Sequence, residues 1–394
     1  MLLLTAAWVV PVAAPPIRDG CVAVSDGRIA WVGRRGGPGQ PEGRFRELGS
    51  GVLLPGLVNA HCHLELTALG LAGERRFTSF VDWVEALVAA RASLDAATAR
   101  DGARRGIEEL RRSGTVAVGD VSNELGHLDL LRESGLEAVV FFELIGWDPA
   151  RAASILAWAE GRMAELAAPG PVRLRLAAHA PYSVSPPLFA GLVRRGGPAA
   201  VHLAESPEES RFLRDGGGEW AAFLDRRVGP VPFEAPGTSP VRYLDSLGAL
   251  RPGLLAAHCV QVDGGDRALL AERGVGVAVC PRSNRNLGVG MPPVPELLAA
   301  GVALSLGTDS AASAGRLDLM QDVSALQREF PRLDPAVIVR MATLGGAEAL
   351  GLPDYGSLEP GKRAALAVAP APEGTAEPLS FLTSGEARLE PVEL

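Results

Sequence analysis

The chain has 394 residues, is 47% apolar and carries a formal charge of −8. That length suits one large domain plus a smaller appended one. An acidic balance with no basic run argues against a nucleic-acid partner, and no stretch approaches the roughly 18 uninterrupted apolar residues of a membrane span.

Met1 to Pro15 is apolar and Ala-rich but lacks the basic start of a signal peptide. It is followed by Gly20–Gly33, which alternates and turns like a hairpin around Asp26-Gly27. Leu2 to Val32 is therefore predicted to form strands of one small sheet, and residues 1–53 are strands and turns. The four cysteines, Cys21, Cys62, Cys259 and Cys280, are scattered without paired spacing. They are expected to be reduced thiols, which points to a cytoplasmic compartment.

From residue 54 to 350, short apolar runs alternate with helical patterns. Eight strands are predicted: Val52–His63, Thr115–Asp120, Ala138–Glu143, Val172–His179, Ala199–Glu205, Leu254–Val260, Val275–Cys280 and Val302–Asp309. Such alternation favours a parallel sheet, and eight units suggest a closed barrel. His61, His63, Asp120, Glu143, His179, His202, His258 and Asp309 all fall at or near the C-terminal strand ends. That is the face on which a (β/α)8 barrel carries its active site. One strand-end histidine is explained by core packing; five are not.

His61 and His63 are two apart, so on a strand both imidazoles aim at one point. Two neutral imidazoles there suit zinc or iron(II). His-X-His alone is common, but here it closes Pro55-Gly-Leu-Val-Asn-Ala-His-Cys-His63. That stretch resembles the first metal motif of the amidohydrolase superfamily, metal-dependent hydrolases built on a distorted TIM barrel. His202-Leu-Ala-Glu205 resembles the His-X-Ala-Glu motif of the branch that holds cytosine, guanine and adenosine-type deaminases. Leu254–His258 and Leu304–Asp309 resemble that branch's later strands.

The resemblance implies an α/β fold: a distorted (β/α)8 TIM barrel over residues 54–350, with a small β-sandwich domain formed by residues 1–53 and 351–394. Gly356–Arg363 resembles the return to the N-terminal sheet, although Ala364-Ala365 stands where the family usually has Ala-Asp. It further implies metal ligands His61, His63, His202 and Asp309, with Glu205, His258 and Asp309 catalytic. Glu205 would pass protons between the water and a ring nitrogen. Glu208 and Glu209 beside it read as solvated loop carboxylates. Some superfamily members bridge two metals through a carboxylated lysine. Lys362 is the only lysine in this chain, so a single divalent ion is expected, zinc before iron(II).

For the substrate, His179–Pro186 resembles a substrate-contacting segment of adenosine-type and S-adenosylhomocysteine-type deaminases. Cys280–Asn284 resembles their Pro-X-Ser-Asn stretch, and Phe77–Val84 the loop and helix that cover the base. These give Trp83, His179, Tyr182, Arg282, Ser283 and Asn284 as substrate-binding residues. Together they resemble most the aminodeoxyfutalosine-deaminase type, which acts in a route to menaquinone. The implied partner is an adenine nucleoside whose carboxybenzoyl group an arginine, Arg282 or Arg76, would hold. Two other readings remain: a hydrolase of another ring (guanine-like, triazine or cyclic amide), and a non-catalytic assembly protein on the same fold. No ligand is missing, which disfavours the last. Self-association stays open.

Overall fold

The computed structural model describes residues 1–71, 77–229 and 233–394. Both chain ends meet in one seven-stranded mixed sheet. Its order is Glu390–Pro391, Leu366–Ala369, Val52–Pro55, Leu2–Val9, Ile17–Ser25 and Arg28–Arg34, with Arg44–Glu47 also pairing Leu2–Val9. Asp26 and Gly27 take φ of 50° and 70°, the left-handed pair that lets a two-residue hairpin follow the strand twist. One face buries Leu4, Val22, Ile29, Leu53, Leu358 and Leu366.

The remaining strands lie in two sheets, parallel throughout. One runs Asp309–Ser310, Leu57–His63, Thr115–Ser122, Glu137–Leu144 and Val172–Ala178. The other runs Ala200–Leu203, Leu255–His258, Gly276–Val279 and Ala303–Leu306. At one seam, Ala199 N–H donates to Leu176 O and His202 N–H to His179 O, each at 2.8 Å. At the other, Asp309–Ser310 pairs with Cys62–His63. There Asn59 Nδ2 donates to Thr308 Oγ1 at 2.8 Å, and Thr308 N–H donates back to Asn59 Oδ1 at 3.2 Å. Between the sheets, Val58, Ala60, Ala117, Val139, Phe141, Ala177, Leu255 and Ala278 fill the interior below the site.

One boundary differs from the sequence reading. Val52–His63 is not a single strand: Val52–Pro55 belongs to the chain-end sheet and Leu57–His63 to the parallel one. Gly56 is the crossing point. A Cβ there would lie 2.2 Å from Val116 Cγ1, so only glycine lets the chain change sheets at that spot.

No helix among the described residues is long and apolar enough to cross a membrane. All four cysteines are free and buried.

Candidate active site

The strand Leu57–His63 delivers His61 and His63 to one side, and Ala200–Leu203 delivers His202 opposite them. Nε2 of His63 and Nε2 of His202 face each other at 3.2 Å. Asp309, just beyond Ala303–Leu306, places Oδ1 3.6 Å from His61 Nε2 and 3.4 Å from His63 Nε2. His61 Nε2 is buried and has no hydrogen-bond partner. Two ring nitrogens at van der Waals distance, a third unpartnered and a carboxylate oxygen beside them form a donor set that suits a divalent cation. Burial lowers His61, and burial with the neighbouring His61 brings His63 down to about 3, so both are neutral as ligands must be.

His202 differs. Burial opposes its charge, but Glu143 outweighs burial and carries it up to about 9. Glu143 Oε1 lies 3.3 Å from His202 Nδ1, and the His179 carbonyl lies 3.1 Å from the same nitrogen. Both partners select the tautomer with Nδ1–H, which leaves Nε2 to face the convergence point. A cation bound there displaces the extra proton.

Asp309 is held from behind. Its Oδ2 accepts from Ser283 Oγ at 2.5 Å and Ser313 Oγ at 2.8 Å, which leaves Oδ1 toward the histidines. Burial works against its charge, but the surrounding imidazoles of His61, His63 and His258 keep its carboxyl well below the usual range. Glu205 is buried with Oε1 3.5 Å from His258 Nε2. Burial first, then the charge of Asp309, pushes its carboxyl well above the usual range. Asn284 Oδ1 lies 2.8 Å from His258 Nδ1 and turns Nε2 toward Glu205.

His63, Glu143, His202, Glu205, His258 and Asp309 line a cavity of about 950 Å³. Trp83, His179 and Tyr182 line it too. Tyr182 stacks on Trp220 with ring centres 4.0 Å apart. The indole nitrogens of Trp83 and Trp220 are buried without hydrogen-bond partners.

Three expected substrate contacts lie elsewhere. Ser283 and Asn284 sit behind Asp309 and His258 and orient them, and neither lines the cavity. Arg282 also lies outside it. Its Nε and Nη2 bind Asp322 Oδ2 at 3.0 and 2.7 Å, and Nη1 donates to Ala314 O and Gln321 Oε1. That guanidinium is spent on Asp322 and has no donor free for a substrate carboxylate. Arg76 lies outside the described residues.

Glu209 is a further correction: it is 0% exposed rather than solvated. Sequence reasoning also assigned no role to Glu143, Ser313 or Trp220. Only Glu143 carried a signal, its place at a strand end.

With that geometry in view, the amidohydrolase family model matches residues 52–386. The chain belongs to the amidohydrolase family. A 5-methylthioadenosine/S-adenosylhomocysteine deaminase of Pelotomaculum thermopropionicum is 33% identical over 365 residues, covering 89% of this chain and 79% of that one. An aminodeoxyfutalosine deaminase of Deinococcus radiodurans is 35% identical over 320 residues, 77% of this chain and 75% of that one. Among solved amidohydrolase-like structures, a zinc-bound adenosine deaminase from Xanthomonas campestris superposes with a TM-score of 0.80 at 28% identity, covering 98% and 90% of the two chains. The aminofutalosine deaminase of Helicobacter pylori gives 0.87 at 23% identity over both whole chains, a likeness of fold.

Proposed function

We propose that this amidohydrolase is a mononuclear, metal-dependent deaminase that hydrolyses the adenine ring of a nucleoside. The observation that carries the reading is the pairing of a buried Glu205, 3.5 Å from His258, with the His61, His63, His202 and Asp309 donor set beside an aromatic-lined cavity. A divalent ion held by those four residues, zinc in our reading, supplies a water whose pKa falls from about 15.7 to about 7.

The chain's own groups do the rest. Asp309 Oδ1 takes the water's proton, while Ser283 and Ser313 hold its other oxygen. Glu205 gives a proton to the ring nitrogen next to the carbon under attack. His258 Nε2, fixed by Asn284, faces the developing oxygen. The exocyclic amine leaves as ammonia with the proton held on Asp309, and the remaining hydroxyl proton on the ring carbon returns to Glu205, so water and adenine become hypoxanthine and ammonia. Tyr182 and Trp220 stack beside His179 and give the base a flat wall, and the free indole N–H groups of Trp83 and Trp220 are donors for ring or sugar acceptors.

The outer cavity supports a finer reading. Ile145, Trp158 and Val228 line its mouth although they are 51%, 55% and 47% exposed. Arg151 and Arg227 line it too, and among the described residues neither guanidinium has an ion-pair partner. An apolar rim with two free cations suits a nucleoside with an apolar, acidic 5′ substituent, of which aminodeoxyfutalosine is the example we favour. The fold reading that goes with this is a distorted (β/α)8 barrel over 54–350, its halves being the two parallel sheets. The chain-end sheet would then belong to the small β domain of 1–53 and 351–394.

The test is an absorbance assay of metal-loaded protein on adenosine, S-adenosylhomocysteine and aminodeoxyfutalosine, following adenine to hypoxanthine. Fast conversion of the acidic nucleosides that slows in Arg151→Ala or Arg227→Ala is the expected result. Silence across the panel with metal bound would sink the nucleoside reading and turn attention to guanine-like, triazine or cyclic amide rings.

A further inference from the structure

Glu209 is a fully buried carboxylate that the chemistry above does not use. Its Oε1 accepts the backbone N–H of Ala204 at 3.1 Å, and its Oε2 accepts the N–H of Glu205 at 2.8 Å. Its own N–H donates to Ser206 Oγ at 3.2 Å, as the third residue of the helix Pro207–Asp215. Ser206-Pro-Glu-Glu209 thus has the spacing of a capping box, in which the carboxylate normally turns back to the cap residue's own N–H. Here it reaches further, to the two residues that lead into the cap. One of them is Glu205.

The segment it grips needs holding. Ala204 has φ of 51°, a left-handed conformation that an alanine leaves readily unless its surroundings fix it. The carbonyl side is fixed from another strand: Gln261 N–H donates to Ala204 O at 2.7 Å and Cys259 N–H to Leu203 O at 3.0 Å. Both donors lie in the segment just after His258, Cys259 directly and Gln261 beyond Val260. The two N–H groups are fixed by Glu209. The turn carrying Glu205 is therefore held on both edges, and its side chain is aimed at His258, 3.5 Å away.

We propose that Glu209 is a positioning residue for the deamination: its carboxylate sets the backbone from which Glu205 delivers its proton. This rests on the deaminase reading. A helix cap alone would not require it, because Ser206 already caps the helix.

The test uses the full-length, metal-loaded enzyme and whichever adenine nucleoside the wild type converts. Glu209→Gln keeps the shape but sets an amide N–H₂ against one backbone N–H. We expect kcat to fall about 10–100-fold, the range for outer-shell partners, with KM and metal content unchanged. Binding of a coformycin-type transition-state analogue weakens by the same factor, while binding of the hypoxanthine product does not change. Ser206→Ala removes the ordinary cap, lowers the melting temperature and leaves kcat as it was. Should Glu209→Gln fail to fold, Glu209→Asp keeps the charge, withdraws it by one methylene and reads the same split. A folded Glu209 variant with wild-type kcat overturns the proposal, as does a kcat loss matched by Ser206→Ala. Either leaves the deaminase reading intact. A wild type silent on every nucleoside removes that reading and this one with it.

Discussion

Replacing Glu143 by Gln tests whether a residue that never reaches the metal point governs the affinity there. Glu143 Oε1 stands 3.3 Å from His202 Nδ1, and Oε2 accepts from Asn123 Nδ2 at 3.0 Å. A full charge pair at that separation is worth about 1 kcal/mol in water and about 5 kcal/mol at an effective dielectric constant of 20. Carboxylates behind ligand histidines contribute about 10–100-fold in metal affinity, or roughly 1.4–2.8 kcal/mol, which lies inside those limits. Gln has the same shape, and its oxygen can keep the Asn123 bond. Its N–H₂ then meets His202 Nδ1–H, leaving the His179 carbonyl as that proton's acceptor. Glu143 also carries His202 up to about 9, so a proton competes with the metal at neutral pH in the wild type only. The measurement is zinc competition against a chromophoric chelator at about pH 9.5, where that competition has faded. We expect binding about 10–100-fold weaker, with the metal-free variant still folded at that pH by circular dichroism. Equal affinity in the two proteins at that pH would refute the argument that Glu143 acts through His202.

His61→Ala and Asp309→Ala each remove a ligand and should abolish both bound metal, by elemental analysis, and turnover; activity without metal would end the metal-centred reading. Glu205→Gln should keep full metal content and lose about 10²–10⁴ in kcat, the usual worth of a general acid; a fully active variant removes Glu205 from the chemistry. Buried His127 donates to Asp120, whose Oδ2 lies 2.7 Å away, and although burial resists charging, Asp120 raises the imidazole above its ordinary 6.5. A raised histidine stabilises fully below its unfolded value and loses that contribution as pH rises through its folded one. The melting-temperature deficit of His127→Gln should therefore be largest below about pH 6.5 and shrink in alkali, where a constant deficit would contradict the pair.

What could be read beforehand followed from local rules. Period-two alternation put His61 and His63 on one face, and Asp26-Gly27 marked the hairpin the structure contains. What could not be read depended on partners distant in sequence. Arg282 looked available until Asp322, 40 residues on, took its guanidinium. Ser283 and Asn284 read as substrate contacts, but on the helix Pro281–Leu287 they stand behind Asp309 and His258 instead of lining the cavity. Glu209 read as solvated because carboxylates are seldom buried unpaired, and the N–H donors that admit it exist only once Ala204 turns left-handed.

Backbone strain explains why these misreadings fall together. Ala204, His258, Cys259 and Asp309 all take φ between 49° and 72°, and all lie at the C-terminal strand ends around the site. Each costs on the order of 1–3 kcal/mol and persists only where surrounding bonds over-determine it. At Ala204 such a bond comes from Glu209, which accepts its backbone N–H, whereas Asn284, Ser283 and Ser313 hold the side chains of His258 and Asp309. An alternation rule describes strands that stay in their ladder, so it carries no information at the residue where a strand leaves it. In this fold His61, His63 and His202 stay within their ladders, and the chain departs from them at Ala204, His258 and Asp309, where Glu205, His258 and the carboxylate ligand are presented. Alternation therefore placed His61 and His63, and it stopped being informative at Ala204, His258 and Asp309, where the backbone turns to positive φ.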